Sequence, residues 1–192
     1  MSFEFYEDNA EQFAANTLDV DMSPLYERFL AALPEAGRIL DAGCGAGRDA
    51  AAFLKLGYPV EAFDASPKLV AIARKVSGID VEQSTFLAFA SEQLFAGIWA
   101  CASLLHVPAA QMSGTLRHLG TFLQPQGVIY VSFKYGDEDS ERDGRSYTNC
   151  TEQRLEGFLE GTGLTLDTFW ISNDQRQDRT DEQWLNALLV AK

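Results

Sequence analysis

The stretch Arg38-Ile39-Leu40-Asp41-Ala42-Gly43-Cys44-Gly45-Ala46-Gly47 constrains this chain more than any other segment. Ile39 and Leu40 read as a strand, the alternating glycines as a tight turn, and Ala51, Phe53, Leu54 and Leu56 as the apolar face of a helix that stops at Gly57. A strand that runs through such a turn into a helix offers free N–H groups and lets a ligand come close to the backbone. The same alternation continues along the chain. Residues 60–64 read as a second strand, and Ser66-Pro67 opens a helix bearing Leu69, Ile72, Ala73 and Val76. Residues 79–85 read as a short third strand and 98–103 as a nearly all-apolar fourth. A helix is expected over 109–123, a turn at Pro125-Gln126-Gly127, and a fifth strand over 128–133. Strands alternating with helices imply a parallel sheet.

The two ends of the chain complete the pattern. Ser23-Pro24 reads as an N-cap and first helical residue, with Leu25, Phe29 and Leu33 at helical spacing. Residues 135–150 are polar and acidic with two glycines, and read as a long loop. Thr151 then caps a helix carrying Leu155, Phe158 and Leu159. Residues 164–171 and 184–191 are two final strands, and the polar stretch 172–183 between them is too short for a crossover helix, so they pair antiparallel. The expected fold is α/β: a single doubly wound, mostly parallel seven-stranded sheet with helices on both faces and a C-terminal antiparallel hairpin. One domain spans 1–192: an N-terminal segment and helix over 1–35, a core with the glycine turn over 36–133, and a loop, helix and hairpin over 134–192.

A length of 192 residues suits one domain with a real core. The formal net charge of −13 repels phosphate backbones, and only Lys68, Arg74 and Lys75 lie close together, so nucleic acid is not the expected partner. Apolar runs are interrupted every few residues, which argues against a membrane span. The start, Met1-Ser2-Phe3-Glu4-Phe5-Tyr6-Glu7-Asp8, lacks the basic and apolar stretches of a signal peptide. Cys44, Cys101 and Cys150 are odd in number and not spaced like metal ligands, so they read as reduced thiols in a cytoplasmic protein, with no metal.

Asp64 ends the second strand, 17 residues past Gly47 (64 − 47). A carboxylate there can accept from both ribose hydroxyls of an adenosine, at the carboxyl ends of neighbouring strands where open α/β sheets bind ligands. The loop by itself leaves the cofactor open, because Gly45, Gly47 and Ala50 also fit the dinucleotide pattern G-x-G-x-x-A. Asp41, two residues before the first glycine, separates the readings. Acidic-x-Gly-x-Gly-x-Gly resembles the first motif of class I S-adenosylmethionine-dependent methyltransferases. Phe63-Asp64-Ala65-Ser66-Pro67 resembles their ribose-binding turn, and Leu104-Leu105-His106-Val107 their motif after strand four. Leu123-Gln124-Pro125-Gln126-Gly127-Val128 resembles their approach to strand five, with Gln126 in place of a glycine. Within that superfamily, Gly45-Ala46-Gly47-Arg48-Asp49, residues 97–101 and Trp184-Leu185-Asn186 resemble small bacterial methyltransferases of the tellurite-resistance type, which does not by itself imply a metalloid substrate.

The resemblance implies S-adenosylmethionine as cofactor and a small-molecule acceptor. It places Asp41, Gly43, Cys44, Gly45, Arg48, Asp64, Ala65, Phe86, Ser103 and Leu104 around the cofactor. Thr85-Phe86 stand where many relatives carry an acidic residue for the adenine. Arg48 sits in the first turn of a helix, where a cation opposes the dipole, and either meets the cofactor's carboxylate or Asp41 or simply faces solvent. Cys44 reads as a small loop residue, not a nucleophile. His106 is the candidate catalytic residue, able to orient the acceptor or take its proton, with a purely structural role as the alternative. The resemblance makes 1–35 an N-terminal lid and helix that holds Tyr6 and Phe13, 36–133 the cofactor-binding core and 134–192 the acceptor-side loop, helix and hairpin, with Tyr6, Arg145 and Tyr147 as candidate acceptor-binding residues. Against this, Arg145 could instead pair with Asp137, Glu138, Asp139 or Glu141 in a solvated loop. An NAD-dependent oxidoreductase and a non-catalytic S-adenosylmethionine-binding module remain the rival functions, and the protein is expected to be a monomer or homodimer.

Overall fold

Strand β1 (Ile39–Ala42) lies inside a seven-stranded sheet in the computed structural model, which describes residues 2–34, 37–176 and 181–192. The other strands are β2 (Val60–Asp64), β3 (Glu82–Gln83), β4 (Phe95–Ala100), β5 (Leu123–Lys134), β8 (Leu164–Asn173) and β9 (Gln183–Ala191), in the order β3-β2-β1-β4-β5-β9-β8. All pairs from β3 to β5 are parallel, whereas β9 pairs antiparallel with both β5 and β8. This is the expected doubly wound sheet with its closing hairpin. Strand order reverses between β1 and β4, and their carboxyl ends therefore splay apart to leave a crevice. The expected division between residues 35 and 36, and residues 177–180 of the β8–β9 connection, lie outside the described residues.

Each face of the sheet is covered because side chains alternate along every strand. On one face Leu40, Ile98, Ile129 and Val131 pack under α5 (Ala109–Gly120) and α6 (Glu152–Leu159). On the other, Ile39, Trp99 and Tyr130 pack under α2 (Ser23–Ala31), α3 (Arg48–Lys55) and α4 (Pro67–Ser77). Trp99 anchors that side: it stacks on Tyr130 at 3.9 Å between ring centroids and meets Tyr26, Phe29 and Phe53 at 5.1–5.4 Å. Strand β4, covered on both faces, is buried along its whole length. Among the described residues no helix is long and apolar enough to cross a membrane.

Several element boundaries depart from expectation. Strand β4 runs over Phe95–Ala100 and not 98–103. After Ala100 the chain turns, with Ala102 at φ +49 and its N–H donated to Ser132 Oγ at 2.8 Å. Strand β3 shrinks to two residues, with the Arg74 guanidinium taking the Val81 carbonyl at 2.7 and 3.0 Å. Helix α5 ends at Gly120, and Leu123 already pairs with Phe95 as the start of β5. Helix α2 is capped from outside: the Asp21 carboxylate accepts the Ser23 N–H, and Ser23 itself makes no side-chain cap. Ser66 and Thr151 do cap their helices, accepting from the N–H groups of Leu69 and Arg154.

The segment expected to be a loop contains a hairpin, β6 (Ser140–Arg142) and β7 (Arg145–Tyr147), closed by Asp143 and Gly144 at φ +53 and +74. Two consecutive left-handed residues match the right-handed twist of the flanking strands, and Asp-Gly is the dipeptide that adopts them readily. At the other end of the chain, α1 (Ser2–Thr17) bends at Asn9 (φ −119, ψ 20). Its Glu7 carboxylate accepts from Ser66 Oγ and from the Lys68 N–H, and Lys68 Nζ donates to the Glu7 carbonyl at 2.7 Å. These bonds tie α1 to the N-terminus of α4, across the mouth of the crevice.

Candidate active site

The crevice at the carboxyl ends of β1 and β4 opens into a cavity of about 540 Å³. One end of it is built by the glycine turn. The N–H groups of Gly43 and Cys44 both donate to the Phe63 carbonyl at 2.9 Å, which pins the turn to the end of β2. Gly43, at φ +75, also packs so close to Ser103 that an added Cβ would lie 2.7 Å from the serine Cβ. Ser103 is drawn in by its own bond, Oγ to the Ala42 carbonyl at 2.7 Å. Gly47, at φ +85, stands at the N-terminus of α3, and an added Cβ would meet the Ala73 backbone at 2.9 Å. The turn is thus a close-packed cradle whose glycines leave no room for side chains against Ser103 and α4.

Asp64 faces this cradle. One carboxylate oxygen accepts the Gly45 N–H at 2.8 Å and the other the Ser66 N–H at 2.9 Å. Burial raises its pKa, against the lowering effect of these backbone donors. Ala65, Ser66, Thr85 and Phe86 line the wall beside it. Cys44 lines the cavity too, but burial pushes its thiol well above its ordinary pKa, which keeps it protonated and poorly nucleophilic.

Below the cradle lie two buried carboxyls that the fold treats oppositely. Asp49, in the first turn of α3, receives Arg48 through Nε and Nη2 at 2.6 and 3.0 Å, Trp99 Nε1 at 2.8 Å, and the Tyr26 hydroxyl. Burial works to raise its pKa, yet the guanidinium and these donors overcome it and hold the carboxyl below its ordinary value. Asp41 has no such escort. It accepts from the Ala50 N–H, its Oδ2 has no partner among the described residues, and burial followed by the neighbouring Asp49 charge drives its pKa well up. Arg48 is therefore held by Asp49 and not by Asp41, with its remaining Nη1 on the Thr17 carbonyl at 3.2 Å.

The other end of the cavity is aromatic and cationic. The Tyr6 hydroxyl lies 2.7 Å from His106 Nε2, and His106 Nδ1 lies 3.0 Å from the Ser146 carbonyl. A carbonyl only accepts, so Nδ1 carries the proton and Nε2 accepts from Tyr6. Burial lowers the His106 pKa to about 4, and raises that of Tyr6 to about 12. Both are neutral near pH 7. Tyr6 also makes edge contacts with Phe13 and His106, while the Arg145 guanidinium sits 4.1 Å over Phe5 and 5.5 Å over Tyr147. Arg145 pairs with Asp143 at 3.5 Å, a neighbour outside the four acidic partners expected for it. Lys134 Nζ lies 4.7 Å over the Tyr147 ring and pairs with Glu182 at 3.0 Å.

Of the residues singled out in the sequence, this one cavity is lined by Gly43, Cys44, Gly45, Arg48, Asp64, Ala65, Phe86 and Ser103, and by Tyr6, His106, Arg145 and Tyr147. Asp41 and Leu104 are not on its wall; Leu104 is fully buried in the core beside α5. Sequence reasoning misses the Asp49 cluster and the Glu7 tether. Their partners stand 23, 50 and 59 residues apart, distances at which no periodicity speaks. It also misses Trp184 and Asn186 as wall residues, although both fall in a segment that carries the family resemblance.

Residues 14–166 match a family described as a methyltransferase domain. A stretch of 104 residues is 34% identical to a ubiquinone biosynthesis O-methyltransferase of Methylocella silvestris, covering 51% of this chain and 40% of the relative. The match spans less than half the length of that relative. In three dimensions the chain resembles the 1,6-didemethyltoxoflavin-N1-methyltransferase of Burkholderia thailandensis, solved with its substrate and S-adenosylhomocysteine. The TM-score is 0.78 at 22% identity, over 98% of this chain and 84% of that one. An S-adenosylmethionine-dependent methyltransferase from Clostridium acetobutylicum gives a TM-score of 0.71 at 13% identity, over 98% of both chains. At these identities the likeness establishes a shared fold.

Proposed function

The chain belongs to the methyltransferase-domain family, and on that premise we propose that it carries a methyl group from S-adenosylmethionine to a small-molecule acceptor. The observation that carries the reading is a single cavity joining the glycine cradle and Asp64 to the Tyr6–His106–Arg145 end, so that donor and acceptor can lie side by side. The cradle fits the cofactor: Gly43 and Gly45 leave room where side chains would intrude, and Asp64 offers an acceptor for ribose hydroxyls. Ala65 and Phe86 would flank the adenine, and Ser103 the methionine portion. When bound, the cofactor supplies an activated methyl on a sulfonium whose leaving group is a neutral thioether. The protein's own work is then alignment and exclusion of water, and direct displacement needs no covalent protein intermediate.

His106 serves this chemistry as a positioning residue: a neutral imidazole, locked by the Ser146 carbonyl, presents Nε2 toward Tyr6. Helix α1, tied to Ser66 and Lys68, holds Tyr6 over the acceptor end as a cover. The net charge of −13 supports a small molecule over nucleic acid as acceptor, and three unpaired cysteines support a reducing, cytoplasmic setting. The deciding measurement is calorimetric titration with S-adenosylmethionine, S-adenosylhomocysteine and NAD. Binding of both sulfur nucleosides, weakened about tenfold or more in Asp64→Ala, is the expected result. Binding of NAD alone would overturn the cofactor reading, and turnover of an acceptor separates an enzyme from a silent binding module.

A further inference from the structure

The acceptor end of the cavity carries information about what it accepts. Arg145 has a side chain only 13% exposed, gripped between the Phe5 and Tyr147 rings, and its buried Nε has no hydrogen-bond partner among the described residues. A buried guanidinium N–H left open is a costly arrangement unless a ligand completes it. Its ion pair with Asp143 runs through Nη2 to a carboxylate that is 61% exposed, which leaves Nε untouched. Around it, Lys134 and Arg142 share Glu182, and farther along Asp174 binds Arg176. Among the described residues on the cavity wall at this end, Lys134, Arg145 and Arg176 stand against Asp174, with Glu182 and Asp143 as the partners of Lys134 and Arg145.

Among the described residues, the same end offers no ready proton acceptor. His106 Nε2 is engaged by Tyr6, Glu182 by Lys134 and Arg142, and Asp174 by Arg176 and Trp184 Nε1 at 3.2 Å. An acceptor that must give up a proton before reacting has to do so to bulk water. The rings on the wall here are Tyr6, Tyr147 and Trp184. One phenol is already seated there, since Tyr6 lies between His106 and the Arg145 guanidinium.

We propose that the methyl acceptor is an acidic hydroxyl on an aromatic ring, and that it binds as the oxyanion against the Arg145 guanidinium on the cavity wall. The O–H bond breaks as the ligand is seated, the electron pair stays on oxygen, and the proton leaves to solvent; nothing is oxidised or reduced. This assignment rests on the methyltransferase reading and narrows its acceptor to one chemical class.

The test uses the full chain saturated with S-adenosylhomocysteine and titrated with 4-nitrophenol, whose phenolate absorbs visibly, at a pH below the phenol's own pKa. 4-Nitroanisole serves as the same shape without an ionisable hydroxyl. The phenolate band should grow on binding, and 4-nitrophenol should bind about tenfold or more tighter than 4-nitroanisole. Arg145→Gln should lose that preference and the spectral change, Arg145→Lys should recover part of both, and both variants should keep their affinity for S-adenosylhomocysteine, which shows them folded. Binding of the neutral phenol, equal affinity for the two probes, an undiminished response in Arg145→Gln, or no binding to the loaded protein would each overturn the proposal. Failure of the wild-type chain to take S-adenosylhomocysteine is a different result: it removes the cofactor reading, and this proposal with it.

Discussion

Asp41 and Asp49 show how far two copies of one residue type can diverge inside a single site. Asp49 is charged because Arg48, Trp99 and Tyr26 all donate to it, whereas Asp41 keeps one oxygen without a donor among the described residues. A carboxyl whose folded pKa is raised binds protons in the native state that the unfolded chain has released. Its presence therefore costs stability as pH rises from the ordinary aspartate value through the folded one. Asp41→Asn removes this titration. Its unfolding free energy should gain on wild type between pH 4 and pH 7, by about 1.4 kcal/mol for each unit by which burial raises the Asp41 pKa. Denaturant titrations across that range check it, and parallel curves for the two proteins would refute it. His106 makes the opposite case. With a pKa lowered to about 4 by burial, it is neutral throughout the range in which an ordinary histidine titrates. The pH profile of kcat/KM should then show no break near 6.5, the ordinary histidine value. A limb centred there and abolished in His106→Gln would make the imidazole a general base after all.

Among the elements, the approach to β5 carries a visible compromise. Gln126 sits at φ +67, a left-handed conformation that glycine adopts without penalty and a side chain does not. The sequence already marks this position, because the resemblance puts a glycine where Gln126 stands. Gln126→Gly should stabilise the chain by about 1 kcal/mol and raise Tm by about 2–4 °C, read by thermal unfolding. An unchanged or lower Tm would mean that Gln126 makes compensating contacts. The β6–β7 hairpin teaches the converse lesson. Asp143-Gly144 was a legible hairpin signal, but short polar strands bury little and have no apolar alternation, so composition alone reads them as loop. The ends of β3 and β4 were less legible. Arg74 takes the Val81 carbonyl and Ser132 takes the Ala102 N–H, and both partners come from other elements.

At the scale of the whole molecule, the switch in strand order puts the glycine turn and the turns after Asp64 and Ala100 at one edge of the sheet, and α1 closes over it. A ligand that binds only this assembled edge must stabilise the entire fold by mass action. S-adenosylhomocysteine at about 100 times its Kd should contribute about 2.7 kcal/mol and raise Tm by roughly 5–10 °C, while NAD should leave it unmoved. Scanning calorimetry with each compound decides this, and a shift with NAD alone would count against the methyl-donor cradle.

What the sequence determined by itself was whatever depends on short stretches of chain. The glycine turn, the Ser66 and Thr151 caps, the apolar run of β4 and the Asp64 position are set by neighbours in sequence, and they sufficed for the sheet, its closing hairpin and the glycine-turn end of the cavity. Tertiary structure alone decided the charge states and the acceptor end. Asp49 owes its ionisation chiefly to Arg48 beside it, helped by Tyr26 and Trp99, residues 23 and 50 positions away. His106 owes its tautomer to Tyr6 and Ser146, residues 100 and 40 positions away. Burial and hydrogen-bond geometry exist only once these residues are brought together, and they govern protonation more strongly than residue type does.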